Sequence, residues 1–118
     1  MLWRIDPASD EPLYAQLVAQ AHLAAARGEL APGDRLPAAR ELAESLELNV
    51  HTVLKAYQQL RDEGLIELRR GRGAVVTAAA ARDLSPVEAA LAAFVTAARE
   101  ARLSPEATTT LVKEAMKR

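Results

Sequence analysis

The sequence predicts a mainly α-helical chain with one small β hairpin (α+β), on three observations between Leu36 and Val76. Two helical stripes lie close together, a polar corner separates them, and the apolar period changes to two residues beyond Gly64. Each element has a local reason. Trp3 and Ile5 alternate with charged neighbours, then Asp10 and Glu11 precede Pro12, a natural first position for a helix whose Leu13, Leu17, Ala21 and Ala24 or Ala25 keep helical spacing. Leu30 to Leu36, broken by Pro32-Gly33, reads as a turn entering a short strand able to pair with the hairpin. From Pro37 to Leu46 a short acidic helix puts Leu42, Ala43 and Leu46 on one face.

Glu47, Leu48 and Asn49 make the corner. The Asn49 side chain can accept a hydrogen bond from a free backbone N–H, and Gly64 can take positive φ without strain, so the next helix should run from about Val50 to Glu63. Its buried stripe is Val53, Ala56, Tyr57 and Leu60, which leaves Thr52, Lys55 and Gln59 facing outward together. Beyond Gly64, Leu65, Glu67 and Arg69 alternate with Ile66, Leu68 and Arg70, and Ala74 to Thr77 return past Gly71 and Gly73. Arg69, Arg70 and Arg72 crowd the hairpin tip, where the glycines let backbone approach a phosphate ester closely. Helix, corner, helix and basic hairpin in that order are the plan of a winged helix-turn-helix, a module that reads double-stranded DNA.

At this point the chain resembles the GntR family of bacterial transcription regulators. The resemblance is carried by Pro12-Leu13-Tyr14 with Gln16 and Leu17, Gly28-Glu29-Leu30, Pro32-Gly33, Leu36-Pro37 and Arg40-Glu41-Leu42-Ala43. It continues through Thr52-Val53, Ala56-Tyr57, Leu60, Glu63-Gly64-Leu65-Ile66 and Arg70-Gly71-Arg72-Gly73. The short remainder looks like the YtrA-like branch, in which a two-helix tail replaces the large effector-binding or aminotransferase domains of other members. Several positions depart from the family pattern. Val50 stands where relatives usually carry Arg or Pro, Ala38 where a capping Ser is common, Glu47 at the usual corner Gly, and Ala74-Val75 at a frequent Thr-aromatic pair. The resemblance implies a homodimeric regulator, more readily a repressor than an activator because a small domain on a promoter can act by occlusion.

The interface expected from the helix geometry comprises Asn49, Val50 and His51 at the end that enters the major groove, with Thr52 and Lys55 beside them. Arg40 matches a family DNA-contacting arginine, its plain alternative being a surface ion pair with Glu44. Arg69, Arg70, Gly71, Arg72 and Gly73 complete the set. Trp3 and Tyr14 are expected in the core, because the chain has one Trp, two Tyr and one Phe and a small domain needs them inside.

Beyond a winged helix-turn-helix domain at residues 1–77, residues 78–84 read as a linker and 85–118 as a helical dimerisation tail. Ser85-Pro86-Val87-Glu88 has the form of a reciprocal cap, and Ser104-Pro105 opens a second helix. Val87, Leu91, Phe94 and Val95, with Leu111 and Val112, make an apolar stripe that a lone helix pair would leave wet. A second copy is the expected cover, since two-fold protein symmetry suits a palindromic operator. No large effector pocket is expected there.

Composition bounds the rest. With 118 residues, 50% of them apolar, the chain can bury one core and an appended element. It has no cysteine, so no disulfide or thiolate metal site exists. His22 and His51 have no second histidine or carboxylate at a metal spacing, and no nucleophile–base set points to an enzyme or a cofactor. The uncharged run Ala89 to Ala98 is about half the roughly 20 residues that span a bilayer, so no membrane partner and a cytoplasmic location are expected. Net charge is −1. Residues 1–34 carry two basic and five acidic groups, whereas residues 35–81 carry seven basic and six acidic. So slight a basic excess predicts weak background DNA binding, and it keeps open the alternative of a winged-helix protein-interaction adaptor.

Overall fold

The computed structural model describes residues 1–80 and 83–118. Its order is α1 (Leu13–Ala26), α2 (Ala39–Leu46), α3 (Val50–Asp62), β1 (Ile66–Arg69), β2 (Gly73–Val76), a single 3-10 turn at Ala78–Ala80, α4 (Ser85–Glu100) and α5 (Pro105–Met116). Two compact units result, Met1–Asp83 and Leu84–Arg118. Of the expected linker at 78–84, Ala81 and Arg82 lie outside the described residues.

In the first unit α1 and α2 both pack on α3. Leu17, Val53, Leu60, Leu65, Ile66, Val75 and Val76 are its largest fully buried side chains, each contributing roughly 1.5–3 kcal/mol by leaving water. Trp3 and Tyr14 are half-buried against that core, as their apolar rings require. The segment before α1 is tied down by two glutamines. Gln16, buried, accepts from the Asp6 N–H (2.7 Å) and donates to the carbonyls of Asp6 (3.0 Å) and Glu11 (2.9 Å), so its amide is satisfied. Gln20 accepts from the Arg4 N–H (2.8 Å) and donates to the Arg4 carbonyl, bonding as a neighbouring strand would.

The hairpin is antiparallel, with Ile66 opposite Val76, Glu67 opposite Val75, Leu68 opposite Ala74 and Arg69 opposite Gly73. The expected strand before α2 is reduced to one bridge, Arg35 to Val75. Flanking bonds from the Gly33 N–H to the Val76 carbonyl (2.8 Å), the Val76 N–H to the Asp34 carbonyl (2.8 Å) and the Leu36 N–H to the Ala74 carbonyl (2.9 Å) hold it in place. Ala74 and Val75 are buried although they replace a bulkier pair.

Four helices end in one hydrogen-bonding pattern, in which a residue of positive φ lets the next N–H reach back five residues. The acceptor pairs are Glu29 to Ala24 (2.8 Å), Leu48 to Ala43 (2.8 Å), Leu65 to Leu60 (2.9 Å) and Leu103 to Ala98 (3.0 Å). Gly28 and Gly64 occupy the positive-φ position after α1 and α3, but Glu47 (φ 56°) and Arg102 (φ 57°) occupy it after α2 and α4. For a residue with a Cβ that conformation costs about 1–2 kcal/mol. Leu65 therefore belongs to the end of α3 and not to the alternation of β1. Leu65 and Ile66 are both buried, contrary to the strict two-sided pattern expected there.

Some helix starts differ by a residue or two from expectation. Pro12 precedes α1 as its flanking residue with φ −55° and ψ 145°, and α2 starts at Ala39 with Ala38 as an uncapped boundary. α4 starts at Ser85 itself, after Leu84, so Ser85 is not the boundary residue of a reciprocal cap. In α5 the expected cap forms, Ser104 Oγ accepting from the Ala107 N–H (3.0 Å). No helix among the described residues is long and apolar enough to cross a membrane.

Candidate nucleic-acid interface

The front of the first unit is built from the start of α3. Asn49 Oδ1 accepts from the His51 N–H (2.8 Å), which fixes the first turn and spends the Asn49 side chain on capping. Val50, expected to project, is half-buried against the core. His51 is exposed. The segment entering α2 is tied to α3 by Tyr57, whose hydroxyl donates to the Pro37 carbonyl (2.6 Å). Burial, with a smaller contribution from the Glu41 carboxylate, pushes the Tyr57 phenol well above its ordinary pKa, so it remains a donor.

The outward face of α3 is turned from the one the periodicity suggests. His51, Leu54, Lys55 and Gln58 are exposed, whereas Thr52 and Gln59 are half-buried. α1 causes the difference by covering one flank. Lys55 Nζ sits 4.0 Å above the centre of the Tyr14 ring on α1, a cation–π contact that draws the ammonium sideways. Further along, His22 Nε2 on α1 lies 2.7 Å from Glu63 Oε1, and Gln59 Nε2 donates to Glu63 Oε2 (3.3 Å). Leu54 and Gln58 are the face residues that sequence reasoning passed over. Their spacing of three and seven from His51 is the signal that finds them.

On the other flank, Leu54, Tyr57, Gln58 and Arg61 face Leu68 of β1 across a groove of about 240 Å³. Leu54 is 46% exposed and Leu68 60%. At the hairpin tip the Arg72 N–H closes on the Arg69 carbonyl (3.0 Å), and Gly71 (φ 78°) supplies the positive φ that the turn needs. The three arginines there are not equivalent. Arg69 is forked onto Glu67, with Nε 2.5 Å from Oε1 and Nη2 also in contact. Arg70 and Arg72 are exposed and have no ion pair among the described residues. Arg40 is exposed on α2 and makes no ion pair with Glu44, so its plain alternative does not form. One compact unit thus carries a mixed polar and apolar helix face and two available guanidinium groups.

In the second unit Ala98 is buried and Phe94 and Val95 are half-buried, while Val87 (60%), Leu91 (54%), Leu111 (47%) and Val112 (44%) are largely exposed. Leu91, Phe94, Val95 and Val112 come together with Ala98 and Leu103 along a groove of about 480 Å³ between α4 and α5. Val87 and Leu111 lie outside its lining. Among the described residues no group of three or more His, Asp or Glu could hold a metal ion.

A winged helix-turn-helix with a helical second unit is thus the architecture, and comparison with known proteins assigns it. Residues 13–76 match the family model of bacterial regulatory proteins of the gntR family. The chain belongs to that family. It is 45% identical over 74 residues to the HTH-type transcriptional repressor YtrA of Bacillus subtilis (strain 168), a match covering 63% of this chain and 57% of that protein. The chain thus spans little more than half the length of this curated relative. A solved structure of YtrA from Sulfolobus acidocaldarius, a GntR-family transcription factor, is 38% identical with a TM-score of 0.60, covering 80% of this chain and 96% of the other. The structure of AraR(DBD) in complex with operator ORX1 is 27% identical with a TM-score of 0.55, covering 64% of this chain and 93% of the other. The two YtrA proteins are transcription regulators, not enzymes.

Proposed function

We propose that this protein is a sequence-specific DNA-binding transcription regulator that acts as a repressor, reading a palindromic operator as a homodimer. Residues 1–77 are the DNA-reading head, and residues 85–118 the dimerisation tail that follows a linker at 78–84. The carrying observation is the exposed α3 face of His51, Leu54 and Gln58 on the same compact unit as the exposed Arg70 and Arg72, which puts a base-reading helix and phosphate-binding cations on one module. AraR(DBD), of related fold, is in complex with an operator, which favours DNA over the adaptor alternative.

Roles follow from chemistry. His51 and Gln58 meet base edges, with Thr52 and Lys55 at the rim nearest α1. Arg40 reaches a phosphate or a guanine edge, and the wing backbone at Gly71 and Gly73 admits a phosphate between Arg70 and Arg72. Asn49 and Val50 set the first turn of the helix, and Arg69 is already engaged by Glu67. In the tail, Val87, Leu91, Phe94, Val95, Leu111 and Val112 present apolar surface that a second copy would remove from water. The test is footprinting of the protein on the DNA upstream of its own gene. A protected inverted repeat is expected. Absence of protection at low salt, with folded protein in excess, would overturn the proposal.

A further inference from the structure

Leu54 is an anomaly on a face meant for DNA. It is 46% exposed in the second turn of α3, flanked by His51 and Gln58 at spacings of three and four, with Leu68 of β1 across the groove beside it. We propose that Leu54 reads the 5-methyl group of a thymine in each operator half-site, an inference that rests on the DNA-reading function above. The thymine methyl is the one apolar feature that a base edge presents in the major groove, so it is the feature a leucine there can recognise. Gln58, one turn further on, is exposed, and no hydrogen bond to another described residue occupies its amide. A glutamine amide matches the N6 and N7 edge of adenine. An apolar side chain and a free amide one turn apart, about 5–6 Å, therefore both select A·T pairs over neighbouring steps of the groove.

Charge makes this contact matter. Residues 35–81 carry seven basic and six acidic groups, and of the basic ones Lys55 is drawn onto Tyr14 and Arg69 onto Glu67. Long-range attraction to phosphate is correspondingly weak, so short-range contacts must supply discrimination. Leu54 also forms one wall of the groove shared with Leu68, leaving its wing side open.

The experiment replaces each thymine of the footprinted operator by deoxyuridine, which deletes only the methyl, and measures affinity by fluorescence anisotropy at fixed salt. For the wild-type protein, one position per half-site should weaken binding about fourfold, the loss of roughly one buried methyl. Leu54→Ala should bind more weakly but treat thymine and uracil at that position alike; alanine suits an exposed helix site, and circular dichroism checks the fold. Wild-type affinity that ignores every methyl, or a Leu54→Ala variant that keeps the discrimination, overturns this inference alone. Absence of any salt-dependent duplex binding overturns the DNA-reading function and this inference with it.

Discussion

Removing the two available wing cations should change how DNA affinity depends on salt by an amount the structure sets in advance. Arg70 and Arg72 stand exposed at the hairpin tip, whereas Arg69 is forked onto Glu67. Each phosphate neutralised contributes about 0.9 to the slope of log affinity against log salt. The variant carrying Arg70→Ala and Arg72→Ala should therefore lose about 1.8 from the slope for each head, and about 3.6 for a two-headed dimer. Between 50 and 200 mM salt, wild-type affinity would then fall about a hundredfold more than that of the variant. Arg69→Ala is the internal control. Its ion pair is half exposed, so it adds little to stability, and the guanidinium is already balanced by a carboxylate. Its slope should change by less than that of either Arg70→Ala or Arg72→Ala. Anisotropy titrations at four or five salt concentrations read the slopes of wild type and each variant. An unchanged slope for the double variant removes the wing from the interface, and an Arg69→Ala effect as large as the others refutes the distinction among the arginines.

Three further outcomes are expected. Glu47→Gly should stabilise the protein by about 0.5–1 kcal/mol in urea melts, because relief of a left-handed residue outweighs the added freedom of glycine in the unfolded chain; destabilisation would mean that the Glu47 side chain makes a compensating contact. Tyr57→Phe should cost about 1 kcal/mol by leaving the Pro37 carbonyl without its donor, and a neutral result in the same melts would show that water replaces the hydroxyl at no cost. Leu91→Glu with Phe94→Glu should yield a monomer by sedimentation whose winged-helix signals persist, with operator affinity lowered by loss of effective concentration; a variant that remains dimeric would place the interface elsewhere.

What the sequence made legible was local. Asn49 caps α3, Gly64 ends it, Ser104 caps α5 and Gly71 turns the hairpin, each because one residue type solves one backbone problem. The facing of α3 was less legible. Val53, Ala56, Tyr57 and Leu60 fix the centre of the buried stripe, but its edges depend on where α1 crosses, and the contacts of Tyr14 with Lys55 and of His22 with Glu63 each join residues 41 apart in sequence. Thr52 and Gln59 therefore moved toward the covered flank and Leu54 and Gln58 into the open. The left-handed Arg102 had no local mark at all, since nothing about an arginine announces positive φ.

The central claim, sequence-specific reading of DNA, is tested most directly by one ratio. It is the affinity of the wild-type protein for its footprinted operator divided by that for a scrambled duplex of equal length and composition, at 150 mM salt. Specific readers bind their sites about 10³-fold or more tighter than unrelated DNA, and that is the ratio predicted here. Equal affinity for the two duplexes would contradict the account.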